Sequence, residues 1–314
     1  MANEFDRIHA KHVAKGGASG VTTRLAASEV NSAAAIRISN DDAGYENTVK
    51  QKLMANYGLN GSDAQKAYDG MIQKLQDSEL IIHFRPADLF RGVLTNSYQN
   101  LFERSPQGSG ISDREYVEDR LFEYSSIDST IESIMGTNTN ARDVIDRISK
   151  AGNYQRGGNP SFDPSIRPKY AAINLFDLRG VPSLTMYGHS YLVLKDYVKH
   201  RCTFTDGDSL LPGQPGLSNM LHMGALLNGL EDAVLDALYL KSRGEDIDSS
   251  NTLITHYLME AQIHSEILLN RDVAKIYLCN FELNQGNQED NMQILKGIGS
   301  FLGKNKGITV EYFD

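Results

Sequence analysis

YLMEAQIHSEILLNRDVAKIYL, residues 257–278, decides how the chain is read. Glu260, Gln262, His264 and Glu266 alternate with Met259, Ala261, Ile263 and Ser265. A period of two places alternate side chains on opposite faces of an extended strand. The stretch therefore predicts strands, with Glu260, Gln262 and His264 emerging on one face. An edge strand with a solvated polar side shows the same pattern, so the row is a candidate site only if other chemistry converges on it.

Similar signals lie outward from this segment. ELIIHFRP (79–86) is an apolar run stopped by Pro86, with His83 and Arg85 two apart and hence on one face. YAAINLFDL (170–178) and SLTMYGHSYLVLK (183–195) are rich in β-branched and aromatic residues and read as strands, as does the closing GITVEYF. LSNMLHMGALLNGLEDAVLDALYLKSRG repeats its apolar residues at three and four, a helical period, and Gly244 follows as a C-cap. Residues 43–77 read as two short helices broken at YGLNGSDAQ, where Ser62 or Asp63 supplies a cap. SDREYVEDRLFEY (112–124) opens with capping-box spacing between Ser112 and Glu115. GGASGVTTRLAASEVNSAAA (16–35) has weak periodicity and the small polar composition of a flexible leader. The organisation expected is a leader over 1–40, a helical region over 41–78 and one α+β domain over 79–314, because strands and helices do not alternate as βαβ units.

The chain has 314 residues and a net charge of −9, from 31 Lys plus Arg against 40 Asp plus Glu. No global positive field exists to hold a nucleic-acid backbone, so nucleic acid is not an expected partner. No apolar run reaches the length of a membrane span, and no signal-peptide core opens the chain. Cys202 and Cys279, the only cysteines, lack zinc-site spacing and read as buried reduced thiols.

The familiar site motifs are weak or missing. GHS at 188–190 lacks the second glycine of a nucleophile elbow, so a serine hydrolase using Ser190 is only an alternative. TDGDS (205–209) lacks the remaining ligands of a calcium loop and reads as a turn. Dinucleotide fingerprints and phosphate loops are absent, so any nucleotide is held by another architecture.

Four blocks in order, IIHFRP, RPKYAAINL, YGHSYLVLKDYVKHRCTFTDGDS and EAQIHSEILLNRDV, resemble a bacterial domain family related to ADP-ribosyltransferases. Within it the chain is similar to secreted effectors of the CteC type, which ADP-ribosylate a threonine of host ubiquitin and so block ubiquitination. The likeness covers roughly residues 80–280. It implies a split mixed β-sheet core that grips NAD, and a monomer delivered to the host cytosol without a signal peptide, with a host protein such as ubiquitin as substrate. It also implies that Arg85 and His83 contact NAD. Tyr187, Ser190 and Tyr191 would shape the nicotinamide pocket, with Phe102, Tyr187 or Tyr191 stacking on the ring. Glu260 would meet the ribose, Gln262 would position the acceptor, and His189, His222 or His264 would take the acceptor's proton. Many toxins of this superfamily carry Gln or Glu two residues before the catalytic Glu, whereas here Glu260 precedes Gln262. That order leaves open which of the two side chains meets the ribose, weakens the expectation of an arginine acceptor and is easier to reconcile with a hydroxyl. The rival from another class is a non-catalytic binding module of the same fold.

Overall fold

The computed structural model describes residue 38 and residues 41–91, 97–99, 168–209, 216–248, 250–264 and 267–314. The expected leader over 1–40, Ile38 apart, and the helix expected over 112–124 lie outside these residues.

Two helices come first, α1 over 41–57 and α2 over Gly61–Asp77. The cap of α2 is Asn60 rather than Ser62 or Asp63, its side chain accepting from the Asp63 N–H. Ala64, Tyr68, Met71 and Leu75 recur at three and four and form its buried stripe. The backbone N–H of Ser78 closes on Lys74, and the chain turns directly into β1 (Glu79–Phe84).

The remaining strands are β2 (Ser97–Tyr98), β3 (Lys169–Asn174), β4 (Ser190–Leu194), β5 (Cys202–Asp206), β6 (Ser218–Asn219), β7 (Met259–Ile263), β8 (Ile267–Leu268), β9 (Val273–Cys279) and β10 (Thr309–Phe313). Eight of them form one sheet in the order β10-β9-β4-β1-β3-β7-β5-β6, while β2 and β8 pair separately. Among the described residues every strand pairing is antiparallel except that of β9 with β10. The architecture is therefore α+β around a large, mostly antiparallel sheet.

Three readings change. Residues 183–189 are not strand: Pro182–Tyr187 forms 3-10 turns, and β4 begins only at Ser190. Pro182 fixes the first turn, and Gly188 adopts φ 137°, a region that L side chains rarely enter. The apolar run after 216 is two helices, α3 (Gly224–Gly229) and α4 (Asp232–Ser242), preceded by the short β6. A third helix that periodicity did not single out, α5 (Gln288–Lys304), is capped by Asn287 and buries Ile294, Ile298 and Phe301.

The two faces of the sheet differ. On the first, Leu80, Ile82 and Phe84 of β1 and Ala171 and Ile173 of β3 join a cluster with Leu53, Met71, Leu235, Leu238 and Phe301 from the helices. The N-terminal helices and the sheet thus share one apolar core. Tyr57 packs against this core with its ring tilted 38° from that of the buried Tyr239, the centroids 4.3 Å apart. The second face carries a smaller cluster of Ile81, Ala172, Val181, Tyr191 and Val193. Both cysteines are buried and free, and burial pushes the Cys202 thiol up to about 12, which keeps it a thiol. Among the described residues no helix is long and apolar enough to cross a membrane.

Candidate functional site

On β7, Met259, Ala261 and Ile263 enter the main core, so Glu260 and Gln262 must face the other way. Register carries that face across three strands: Glu260 pairs with Ala172 and Thr205, and Gln262 with Tyr170 and Thr203. The alternating polar row is therefore not a solvated edge. Glu260 is 6% exposed and Gln262, Thr203 and Thr205 at most 1%.

Buried polar groups must be paired, and here each pairing dictates the next. A carboxylate only accepts, so the amide nitrogen of Gln262 faces Glu260 Oε1, at 2.9 Å, and also donates to Thr205 Oγ1 at 2.9 Å. The amide oxygen then accepts from the Thr203 hydroxyl at 2.9 Å. With its proton committed, Thr203 accepts from His264 Nε2–H at 2.7 Å. Burial alone pushes the His264 imidazole down to about 3, so it stays neutral and is a weak proton acceptor. At the other end of the row, Ser209 closes on Glu260 Oε1 with both its backbone N–H (3.3 Å) and its hydroxyl (2.5 Å).

A second group gathers where β1 ends and β4 begins. His83 Nδ1–H donates to the Gly188 carbonyl at 2.7 Å, and Nε2 accepts from the Val181 N–H at 2.9 Å. Burial lowers its pKa, outweighing the Gly188 bond that raises it. Both ring nitrogens are thus engaged by backbone, and His83 brackets the 181–188 segment instead of offering a nitrogen to a cofactor. Tyr191 is buried and stacks between His83 and Tyr277, at 5.7 and 4.6 Å. It packs the sheet and leaves no open ring face for nicotinamide. Arg85 is exposed and donates one hydrogen bond to the Met186 carbonyl at 3.0 Å. Tyr187 is 53% exposed, and His189 is exposed.

Ser190 pairs with Phe84 and so lies on the first face, opposite Glu260. Its hydroxyl donates to Glu282 at 2.6 Å and accepts from the Cys279 N–H at 3.0 Å. Fully buried and doubly bonded, Ser190 has neither a histidine partner nor the exposure of a serine nucleophile. Glu282 also accepts from the backbone N–H groups of His189 (2.7 Å) and Ser190 (2.8 Å), which ties the short helix Asn280–Leu283 to the start of β4.

The two groups share a face without touching. Glu260 is level with Ile81 through Ala172. Arg85 follows the end of β1, four residues beyond Ile81, and two strand spacings separate β1 from β7, so the two Cα positions stand roughly 16 Å apart. Val181 and Leu184 pack onto the same face. His189 accompanies Arg85, not Glu260; the histidine that reaches the row is His264. His222 pairs with Asp42 of α1 at 3.1 Å and belongs to neither group. Phe102 and Glu266 lie outside the described residues. Sequence reading missed Thr203, Thr205, Ser209 and Glu282. The first two alternate on CTFTD as plainly as Glu260 and Gln262 do, but TDGDS drew attention only as a turn. Glu282 carries no local signal, being 92 residues from Ser190.

No family model matches the chain. A stretch of 124 residues is 34% identical to the Gene 2 protein of Mycobacterium phage L5 and covers 35% of this chain. The chain spans 44% of that protein's length.

Proposed function

We propose that the protein is an NAD-dependent mono-ADP-ribosyltransferase that modifies a hydroxyl of a host protein, with a ubiquitin threonine as the first acceptor to test. The observation that carries this reading is the carboxylate of Glu260, held by oriented donors on the same sheet face toward which β1 directs Arg85. The large antiparallel sheet and the four sequence blocks support the ADP-ribosyltransferase-like core.

Breaking the nicotinamide glycosidic bond develops positive charge on the ribose. A preorganised carboxylate favours that transition state over the ground state. In the overall step the bond from C1′ to nicotinamide breaks, the acceptor oxygen bonds to C1′, and its proton passes to Glu260 and then to solvent. Nicotinamide and the ADP-ribosylated protein are the products. His264 is too weak a base for that proton and His189 is too far away, so Glu260 does both jobs. Gln262 acts on Glu260, since its amide is fully engaged within the row. Arg85, with further donors beyond its bond to Met186, takes the pyrophosphate end, and a ligand touching both residues must be as long as a dinucleotide.

The test is release of nicotinamide from labelled NAD, and transfer of label to ubiquitin, by the purified protein. Glu260→Gln is expected to slow release about a hundredfold, or about 3 kcal/mol of transition-state stabilisation, with the fold kept. No release by the wild type, or full release by the variant, rejects the reading. A binding module of the same fold is the second reading, favoured by one observation: Glu260, Gln262, Thr203 and Thr205 are all buried and mutually bonded, as a structural row would be. Label transfer decides between them.

A further inference from the structure

We propose that Glu282 is a positioning residue for Arg85, holding the turn against which the arginine lies; this inference rests on the transferase reading, in which Arg85 takes the pyrophosphate end of NAD. The exposed guanidinium is held by its bond to the Met186 carbonyl at 3.0 Å. Met186 belongs to the 3-10 segment that ends at Gly188. Gly188 is pressed against the end of β1, so closely that a Cβ there would lie 2.1 Å from the Phe84 carbonyl oxygen and 2.8 Å from the Arg85 nitrogen. The backbone and the head of Arg85 thus both rest on residues 186–188, and whatever sets that turn sets the arginine.

Glycine imposes little conformational preference of its own, so the plane of the 188–189 peptide is fixed by its bonds. Its carbonyl accepts from His83 Nδ1–H at 2.7 Å, and its N–H, that of His189, donates to Glu282 Oε1 at 2.7 Å. A rigid planar unit is anchored at both poles, by His83 on the second face of the sheet and by Glu282 from the first. The next N–H, that of Ser190, donates to Glu282 Oε2 at 2.8 Å. Pairing of β4 with β9 starts only at Tyr191 opposite Tyr277, so both N–H groups precede the first rung and the carboxylate stands in for the missing strand. An amide could not: it has one acceptor oxygen, and its nitrogen would confront one of the two donors.

Two arms test this. In the kinetic arm, Glu282→Gln is expected to raise KM for NAD in nicotinamide release about tenfold while kcat stays within about twofold. Arg85→Ala should raise KM at least as much, and adding Glu282→Gln to it should raise KM no further, because the effect runs through the arginine. A clamp that served stability alone would lower Tm and leave KM unchanged. In the spectroscopic arm, the Arg85 Nε–H resonance of nitrogen-15 arginine-labelled protein is expected to move on Glu282→Gln. It should stay put on Glu289→Gln, which removes the same charge from the exposed first turn of α5. Should Glu282→Gln fail to fold, Glu282→Asp, which withdraws the carboxylate by one methylene, carries the same readings. An unchanged KM, a full KM effect in the Arg85→Ala background, or an unmoved Arg85 resonance overturns the proposal. Absence of nicotinamide release in the wild type sinks the transferase reading instead, and the resonance still decides whether Glu282 positions Arg85.

Discussion

His264 shows how one side chain sets a pH limit on the fold. Its imidazole titrates near 6.5 in an unfolded chain and is pushed down to about 3 by burial. Because the folded value is the lower one, the unfolded state binds the extra proton between these limits. Stability from this group is complete above about pH 6.5 and is lost as pH falls toward 3, by about 2 kcal/mol on reaching pH 5. Urea denaturation of the wild type and His264→Gln at about pH 7 and about pH 5 should show the wild type losing that much more. Equal losses would mean that the imidazole does not titrate between the two states. His83 acts at the same scale: His83→Ala removes two buried hydrogen bonds and a stacked ring, and should cost about 2 to 4 kcal/mol by thermal unfolding. Limited proteolysis is then expected to cut within 181–188, the segment that loses its bracket.

At the scale of elements, the sequence was legible wherever one face is core. The apolar run ELIIHF became β1, the β-branched and aromatic run YAAIN most of β3, and the alternating MEAQI became β7 with Glu260 and Gln262 on one face. The site itself was half legible. Glu260 and Gln262 could be placed on one face from spacing alone, but their partners Thr203, Thr205 and Ser209 depend on β5 pairing with β7, a contact between residues some 57 positions apart. The run 183–189 misled because Leu184, Met186 and Tyr187 have strand-like composition. What overrides them is Gly188, where an added Cβ would lie 2.1 Å from the Phe84 carbonyl oxygen. Gly188→Ala meets both that clash and an unfavourable φ, and should lower stability by roughly 3 kcal/mol or more, read as a fall in Tm. A Tm close to wild type would show that the segment shifts freely.

For the whole molecule, Phe90 joins distant parts of the chain. It is 1% exposed and meets Phe84 of β1 and Phe301 of α5, each at 5.9 Å between centroids. Gly297 lets α5 approach the same residue closely. Phe90→Ala should cost about 3 to 5 kcal/mol and leave a single unfolding transition, because the C-terminal helix and the sheet share one core. A split transition would show that α5 melts independently. The paired tyrosines give the molecule an optical handle of its own. With no tryptophan in the chain, the near-ultraviolet circular dichroism that reports fixed side-chain packing comes chiefly from tyrosine and phenylalanine. Tyr57 packs against the main core beside Tyr239, and Tyr191 with Tyr277 lies on the second face. Difference spectra of Tyr57→Phe and Tyr277→Phe would assign one chromophore pair to each side of the sheet, so a ligand settling over the Glu260 face should disturb the second signal and leave the first unchanged.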